Sequence, residues 1–188
     1  MPYLITVRIS LLKNREKNTG RSFTKEFDSV GGVGFYNNPS TTAAPYPSFK
    51  GLSDLQQLEI ENCNLTHVHA ELFGDNTKLK LIKLGGNNIT FLTEGLFARQ
   101  VFLEELHLDL NFFSEPPNTA MKYLYNLEKL NMSGNKILDL NESSFDHIGN
   151  LKVLDLSDNG MKGISDRAFH NVTKLTTLDI GRNQLENV

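Results

Sequence analysis

Apolar positions along this chain recur with one long, fixed period. Leu55, Leu79, Leu103, Leu127, Leu151 and Leu175 stand 24 residues apart, and each opens the same phrase. The phrases are LQQLEIENCNL, LKLIKLGGNNI, LEELHLDLNFF, LEKLNMSGNKI, LKVLDLSDNGM and LTTLDIGRNQL. Each is apolar at its first, fourth, sixth and eleventh positions and polar or variable between. Alternation across positions three to seven predicts a short strand with one face inward. A period of this length predicts that one such unit stacks on the next, because no single unit can bury its own apolar face. A second apolar column with the same spacing, Phe49, Phe73, Phe97, Met121, Phe145 and Phe169, closes the far side of the stack.

The ninth position is the polar exception. Asn87, Asn111, Asn135, Asn159 and Asn183 occupy it in five repeats and Cys63 in the first. A carboxamide both donates and accepts, so a ladder of them can satisfy backbone groups where the chain turns off each strand. The pattern L-x-x-L-x-L-x-x-N/C-x-L is the leucine-rich-repeat signature. It predicts a solenoid horseshoe of α/β type, with short parallel strands on the concave face and irregular turns or short helices on the convex face. Two regions follow: an irregular cap with a degenerate repeat over 1–54, and the solenoid over 55–188. In the cap, Val30, Val33, Phe35 and Asn38 sit at the first, fourth, sixth and ninth positions of a faded repeat, and residues 1–29 read as an edge strand or cap. A stop at Val188, inside the sixth repeat, would expose the interior of the last rung, so the chain is expected to be a piece of a longer protein.

Composition narrows the chemistry. The 188 residues are 39% hydrophobic and contain one cysteine, which excludes an internal disulfide framework and a CxxC zinc site. No window approaches 18 consecutive apolar residues, so no membrane insertion by this segment is expected. Arg8 interrupts the only apolar run at the start, which makes it a poor signal peptide. Residues 1–50 carry seven Lys/Arg against three Asp/Glu, while 51–188 carry twelve against nineteen. An acidic body argues against a nucleic-acid partner, which requires basic density to displace counterions. His67 and His69 lack further ligands at metal spacing, and Gly31–Gly34 lacks a strand-to-helix context for phosphate. No catalytic motif occurs, so the expectation is a binding protein with no metal, no cofactor and no enzymatic activity.

Five N-x-S/T sequons fall at Asn64, Asn88, Asn131, Asn141 and Asn171. Together with the repeat subtype they favour an extracellular, N-glycosylated protein over a cytosolic one with accidental sequons. The 24-residue form with phenylalanine at its nineteenth position resembles the typical extracellular leucine-rich-repeat class. Residues 52–58, NLTHVHAELF at 64–73 and EGLF at 94–97 resemble the amino-terminal half of arthropod Toll receptor ectodomains. The resemblance covers about residues 49–188. It implies a receptor ectodomain that binds a secreted protein ligand, a cystine-knot cytokine, with receptor dimerisation and signalling through a cytoplasmic TIR domain. The cysteine-rich cap usual in that family is missing from this sequence. The alternatives are a secreted immune or adhesion repeat protein without a signalling domain, and a cytosolic scaffold.

Positions three, five and seven of each repeat are expected to line the concave face. In repeats one to three, the proposed ligand surface, these are Gln57, Glu59, Glu61, Leu81, Lys83, Glu105, His107 and Asp109, with Gly85 between them. His107 lies between two carboxylates, which would favour its charged form. A glycan on Asn131, on the fifth-position lane, would shield repeats four and five. Repeat three is irregular: Leu110 and Phe112 replace polar residues beside Phe113-Ser-Glu-Pro-Pro, and suit either a partner contact or the filling of a local gap.

Overall fold

A computed structural model describes residues 6–10, 49 and 51–186. The faded repeat at Val30–Asn38 and Gly31–Gly34 lie outside the described residues. Among the described residues nine strands form: β1 (Thr6–Ser10), β2 (Gln57–Glu61), β3 (Leu81–Lys83), β4 (Glu105–His107), β5 (Lys129–Asn131), β6 (Asp139–Leu140), β7 (Val153–Asp155), β8 (Gly163–Ile164) and β9 (Thr177–Asp179). Seven make one parallel sheet in the order β1-β2-β3-β4-β5-β7-β9. From β2 onward, partners are the residues 24 apart, Leu58 with Ile82, Ile82 with Leu106 and so on, so the sequence period is the structural rise of one turn. Parallel neighbours require a crossover, and here each turn of the solenoid supplies it. β1 pairs with the free side of β2, Thr6 opposite Gln57 through Ser10 opposite Glu61.

The inward positions pack as the pattern requires. Leu55, Leu79, Leu103, Leu127 and Leu151 are fully buried, as are Ile82, Leu84, Leu106, Leu108, Leu154 and Leu156. The far column is buried from Phe49 to Phe145, and rings stack at 5.6 Å between Phe73 and Phe97 and at 5.9 Å between Phe145 and Phe169. Met121 interrupts the aromatic run without leaving the core. The sixth turn differs: Leu178 is 38% exposed and Leu175, Ile180 and Leu185 are half-buried, because β9 is the edge of the described stack. The convex side is built of turns and the short β6–β8 pair, with no helix among the described residues.

The ninth-position amides stitch the rungs together. Asn111 accepts from the Ile89 N–H at 3.0 Å and donates to the Leu84, Leu108 and Asp109 carbonyls at 2.9–3.1 Å. Asn87, Asn135, Asn159 and Asn183 repeat the arrangement, each accepting from the turn before it. Cys63 cannot, and instead its N–H donates to Asn87 Oδ1 while its thiol donates to the Glu61 carbonyl. A second amide ladder, not anticipated above, runs along the opposite edge in the first two repeats. Asn76 donates to the Phe49 and Leu52 carbonyls and Gln100 to the Phe73 carbonyl, at 2.8–3.0 Å. Leu124, Ile148 and Val172 hold the same position afterwards, all buried. A polar residue in an otherwise apolar column was the available signal.

The eighth position has its own requirement. Asn62, Gly86, Leu110, Gly134, Asp158 and Arg182 all have φ between 52° and 66°, the left-handed region. Glycine and Asn/Asp tolerate it, and four of these six positions have them. Leu110 and Arg182 do not fit that preference.

Candidate functional site

Third-, fifth- and seventh-position side chains line the concave sheet, and their polar groups form two different networks. In repeats one to four, partners reach across rungs. Lys83 Nζ lies 3.3 Å from Glu59 Oε1, and Lys129 Nζ lies 2.7 Å from Glu105 Oε1. His107 Nε2 stands 3.6 Å from the other Glu105 oxygen, too far for a hydrogen bond. Partial burial pushes the Glu105 carboxyl up, but the Lys129 hydrogen bond and charge, with His107 beside it, outweigh that and hold it below the ordinary carboxylate range. The same bond raises Lys129.

From repeat four on, fifth-position oxygens fold back on their own turn. Asn131 Oδ1 accepts from the Ser133 N–H and hydroxyl, both at 2.9 Å, and Asp155 Oδ1 does the same with Ser157 at 2.9 and 2.7 Å. Asp179 Oδ1 takes the Gly181 N–H at 2.8 Å. A partner meeting this half finds side chains already engaged locally.

Most of the sequence-derived candidates come together on one face: Gln57, Glu61, Leu81, Lys83, Glu105, His107 and Asp109 are all half-exposed. Glu59 differs. It is only 6% exposed, so it acts on the surface through Lys83 rather than by presenting its own carboxylate. Asp109 is pressed against the backbone of Gly85, where any Cβ would meet its carboxylate oxygen at 2.9 Å. Leu110 and Phe112 leave the concave face for the flank and are 62% and 47% exposed, so neither fills a gap; Phe113 does that, fully buried. Leu110 lies across Gly134, and Phe112 occupies the column that carries Asn64 and Asn88 in the two preceding repeats.

The sequons distribute over three faces. Asn64 and Asn88 are exposed on the flank, Asn141 is exposed on the convex side, and Asn131 is half-buried in the concavity. Asn171 is half-buried, with its Nδ2 donating to Asp146 Oδ1 at 2.8 Å. His67 and His69 make local contacts with Thr66 and the Glu71 N–H, and no group of three or more metal-ligating side chains occurs among the described residues. No helix among them is long and apolar enough to cross a membrane.

A parallel solenoid of stacked, 24-residue turns with an amide ladder and a polar concave face defines a repeat-built binding scaffold. The leucine rich repeat family model matches residues 53–113, 101–161 and 125–185, and the chain belongs to that family. Similar solved structures include the Drosophila Toll–Spatzle complex, at 28% identity and TM-score 0.69, covering 75% of this chain and 18% of that one. The TLR13–ssRNA13 complex matches at 26% identity and TM-score 0.69, over 75% of this chain and 20% of that one. FLRT2, in an octameric complex with Latrophilin 3 and Unc5D, is among the chains of a further match at 25% identity and TM-score 0.65, over 70% and 40%. This chain thus spans about a fifth of the first two structures it matches. No curated protein matches it in sequence. The family and its resemblance to Toll-like receptor ectodomains stand on these matches.

Proposed function

We propose that this chain is an extracellular, N-glycosylated part of a Toll-like receptor ectodomain that binds a secreted protein ligand on the concave face of repeats one to three. The observation that carries the reading is the two cross-rung ion pairs of the concave face, Lys83 with Glu59 and Lys129 with Glu105, with His107 beside Glu105, on a scaffold similar to Toll. The three concave lanes hold six carboxylates (Glu59, Glu61, Glu105, Asp109, Asp155, Asp179) against two lysines. That balance favours a partner with a basic surface, of which a cystine-knot cytokine is one kind. It disfavours an RNA ligand of the sort TLR13 is complexed with, since phosphate binding depends on basic density. The FLRT2 match supports a second reading, a secreted or adhesion-type repeat protein that assembles with other proteins without a signalling domain.

The test immobilises the secreted chain and titrates it with Spatzle and with a single-stranded RNA oligonucleotide. Protein binding that is lost in Glu105→Lys, with no RNA binding at physiological salt, supports the reading. RNA binding that weakens steeply with salt, without protein binding, overturns it. A glycan at Asn131 would confine the ligand to repeats one to three, and an unchanged glycoprotein mass in Asn131→Gln removes that restriction.

A further inference from the structure

The irregularity of repeat three opens a cavity on the convex side. β6 and β8 pair there as a small parallel sheet, with Asp139 opposite Gly163 and Leu140 opposite Ile164. One turn earlier, the positions that would extend this sheet past β6 are Glu115 and Pro116. Proline has no N–H to give a ladder, and with Pro117 it turns the chain away instead. The Asn118 and Ala120 N–H groups then bond the Pro116 and Pro117 carbonyls at 2.8 and 3.0 Å, closing a local turn. What remains between repeats two, three and four is a cavity of about 350 Å³.

Its lining has a definite chemistry. Phe91, 52% exposed, forms one wall, its ring met edge-on by His67 at 5.6 Å. Glu115 and Ser143 supply polar groups, and Asn118 contributes a buried Oδ1 that accepts from nothing among the described residues. Asn141, the fourth sequon asparagine, lies on the same wall. Its Oδ1 is held by the Ser143 N–H at 2.9 Å and the Ser144 hydroxyl at 3.4 Å, while its Nδ2 donates to no described residue. Another convex cavity, about 280 Å³ beside Asn171, differs on both counts: its lining has no phenyl ring, only the His170 imidazole among charged and polar side chains, and the Asn171 amide nitrogen is already bonded to Asp146.

We propose that the cavity between repeats two and four is the seat of an N-linked sugar carried by Asn141, whose first ring packs against Phe91 with its hydroxyls toward Glu115 and Ser143. The proposal rests on the extracellular reading given above. An aromatic wall with scattered acceptors is what an amphipathic sugar ring requires, and 350 Å³ is at the low end of ligand pockets, about 300–1,000 Å³. Attachment is covalent at the rim, so the sugar pays little entropy to enter. It would take the place of the sheet extension that Pro116 forbids, bracing three turns at the point where the regular packing lapses.

The chain secreted from eukaryotic cells, mapped by glycopeptide mass spectrometry and digested under native conditions with an endoglycosidase, tests this. The expected result is an occupied Asn141 whose glycan is released about tenfold more slowly than those at Asn64 and Asn88, a ratio that corresponds to about 1.4 kcal/mol. Phe91→Ala, or Phe91→Leu if the alanine variant is poorly secreted, should bring Asn141 up to the common rate and leave the other sites unchanged. Release at Asn141 as fast as at Asn64, protection that survives both variants, or an empty Asn141 beside occupied Asn64 and Asn88 overturns the proposal alone. A secreted chain with every sequon empty overturns the glycoprotein reading with it.

Discussion

Replacing Asn111 by alanine isolates what one rung of the amide ladder is worth. The side chain is 2% exposed and makes four hydrogen bonds. Its loss does not orphan all four partners. The Leu84 carbonyl keeps Asn87 Nδ2, the Leu108 carbonyl keeps Asn135 Nδ2, and the Asp109 carbonyl keeps the Gly86 N–H. Only the Ile89 N–H is left without an acceptor. An orphaned buried donor costs about 1–3 kcal/mol, and the small void adds to it, so Asn111→Ala should destabilise by roughly 2–3 kcal/mol. Asn111→Leu, which refills the volume, should recover little. Asn183→Ala, in the half-exposed last turn where water can replace the amide, should cost about 1 kcal/mol or less. Urea unfolding read at constant slope gives the differences, and amide exchange at Ile89 locates them. Equal losses at Asn111 and Asn183, or an Ile89 amide still protected in Asn111→Ala, would refute the orphan-donor argument.

Other substitutions probe the remaining features. Leu110→Gly should stabilise by about 0.5–1 kcal/mol, since glycine removes a left-handed penalty of about 1–2 kcal/mol and little packing is lost from an exposed side chain; thermal unfolding checks it. Phe97→Ala should cost about 3–5 kcal/mol by removing a fully buried ring stacked on Phe73, while Phe169→Ala, half-buried, should cost clearly less in the same assay. Glu105 should titrate below an ordinary glutamate by carboxyl NMR, and Lys129→Met should raise its midpoint, because burial then acts with less opposition. Since its folded value is the lower one, its contribution to stability is present above the unfolded value and is lost as pH falls through the folded one; Glu105→Gln should flatten the stability profile across that window.

The core was legible because every repeat states it again. The first, fourth, sixth and ninth positions recur in six registers, so Leu106 or Asn135 could be placed without any neighbour's structure. The eighth position was legible in principle, since Asn62, Gly86, Gly134 and Asp158 share a tolerance for positive φ, but Leu110 and Arg182 obscure it. Alternation alone made Glu59 a surface residue. Its burial depends on what packs on either side of it, with β1 on one side and Lys83 on the other, and that is a matter of packing rather than period. The Asn76–Gln100 ladder was missed for a related reason: two polar residues among five in one column read as noise until their carbonyl partners 27 residues earlier are seen.

A repeat constrains only what faces the next repeat, so the information about function lies in departures from it. Most concave-lane residues are free to vary because the strands are held by backbone pairing and by Leu106-type side chains beneath them. Charge there can change without touching the stack, so under the proposed function its acidic balance bears on a partner rather than on folding. Repeat three shows the opposite case. Pro116 and Pro117 abolish a sheet extension, and Leu110 carries backbone strain, both at some cost to the array. A glycine or asparagine at 110 and a β6-like sequence at 115–116 would restore regularity with ordinary residues. That the chain keeps neither concentrates its irregular features within one stretch, 110–118, next to the exposed Phe112 and the cavity that Asn141 borders. If the sugar fills that cavity, the flank bearing Phe112 is held rigid by a modification made only in the secretory route, and a chain folded in the cytosol would lack that support.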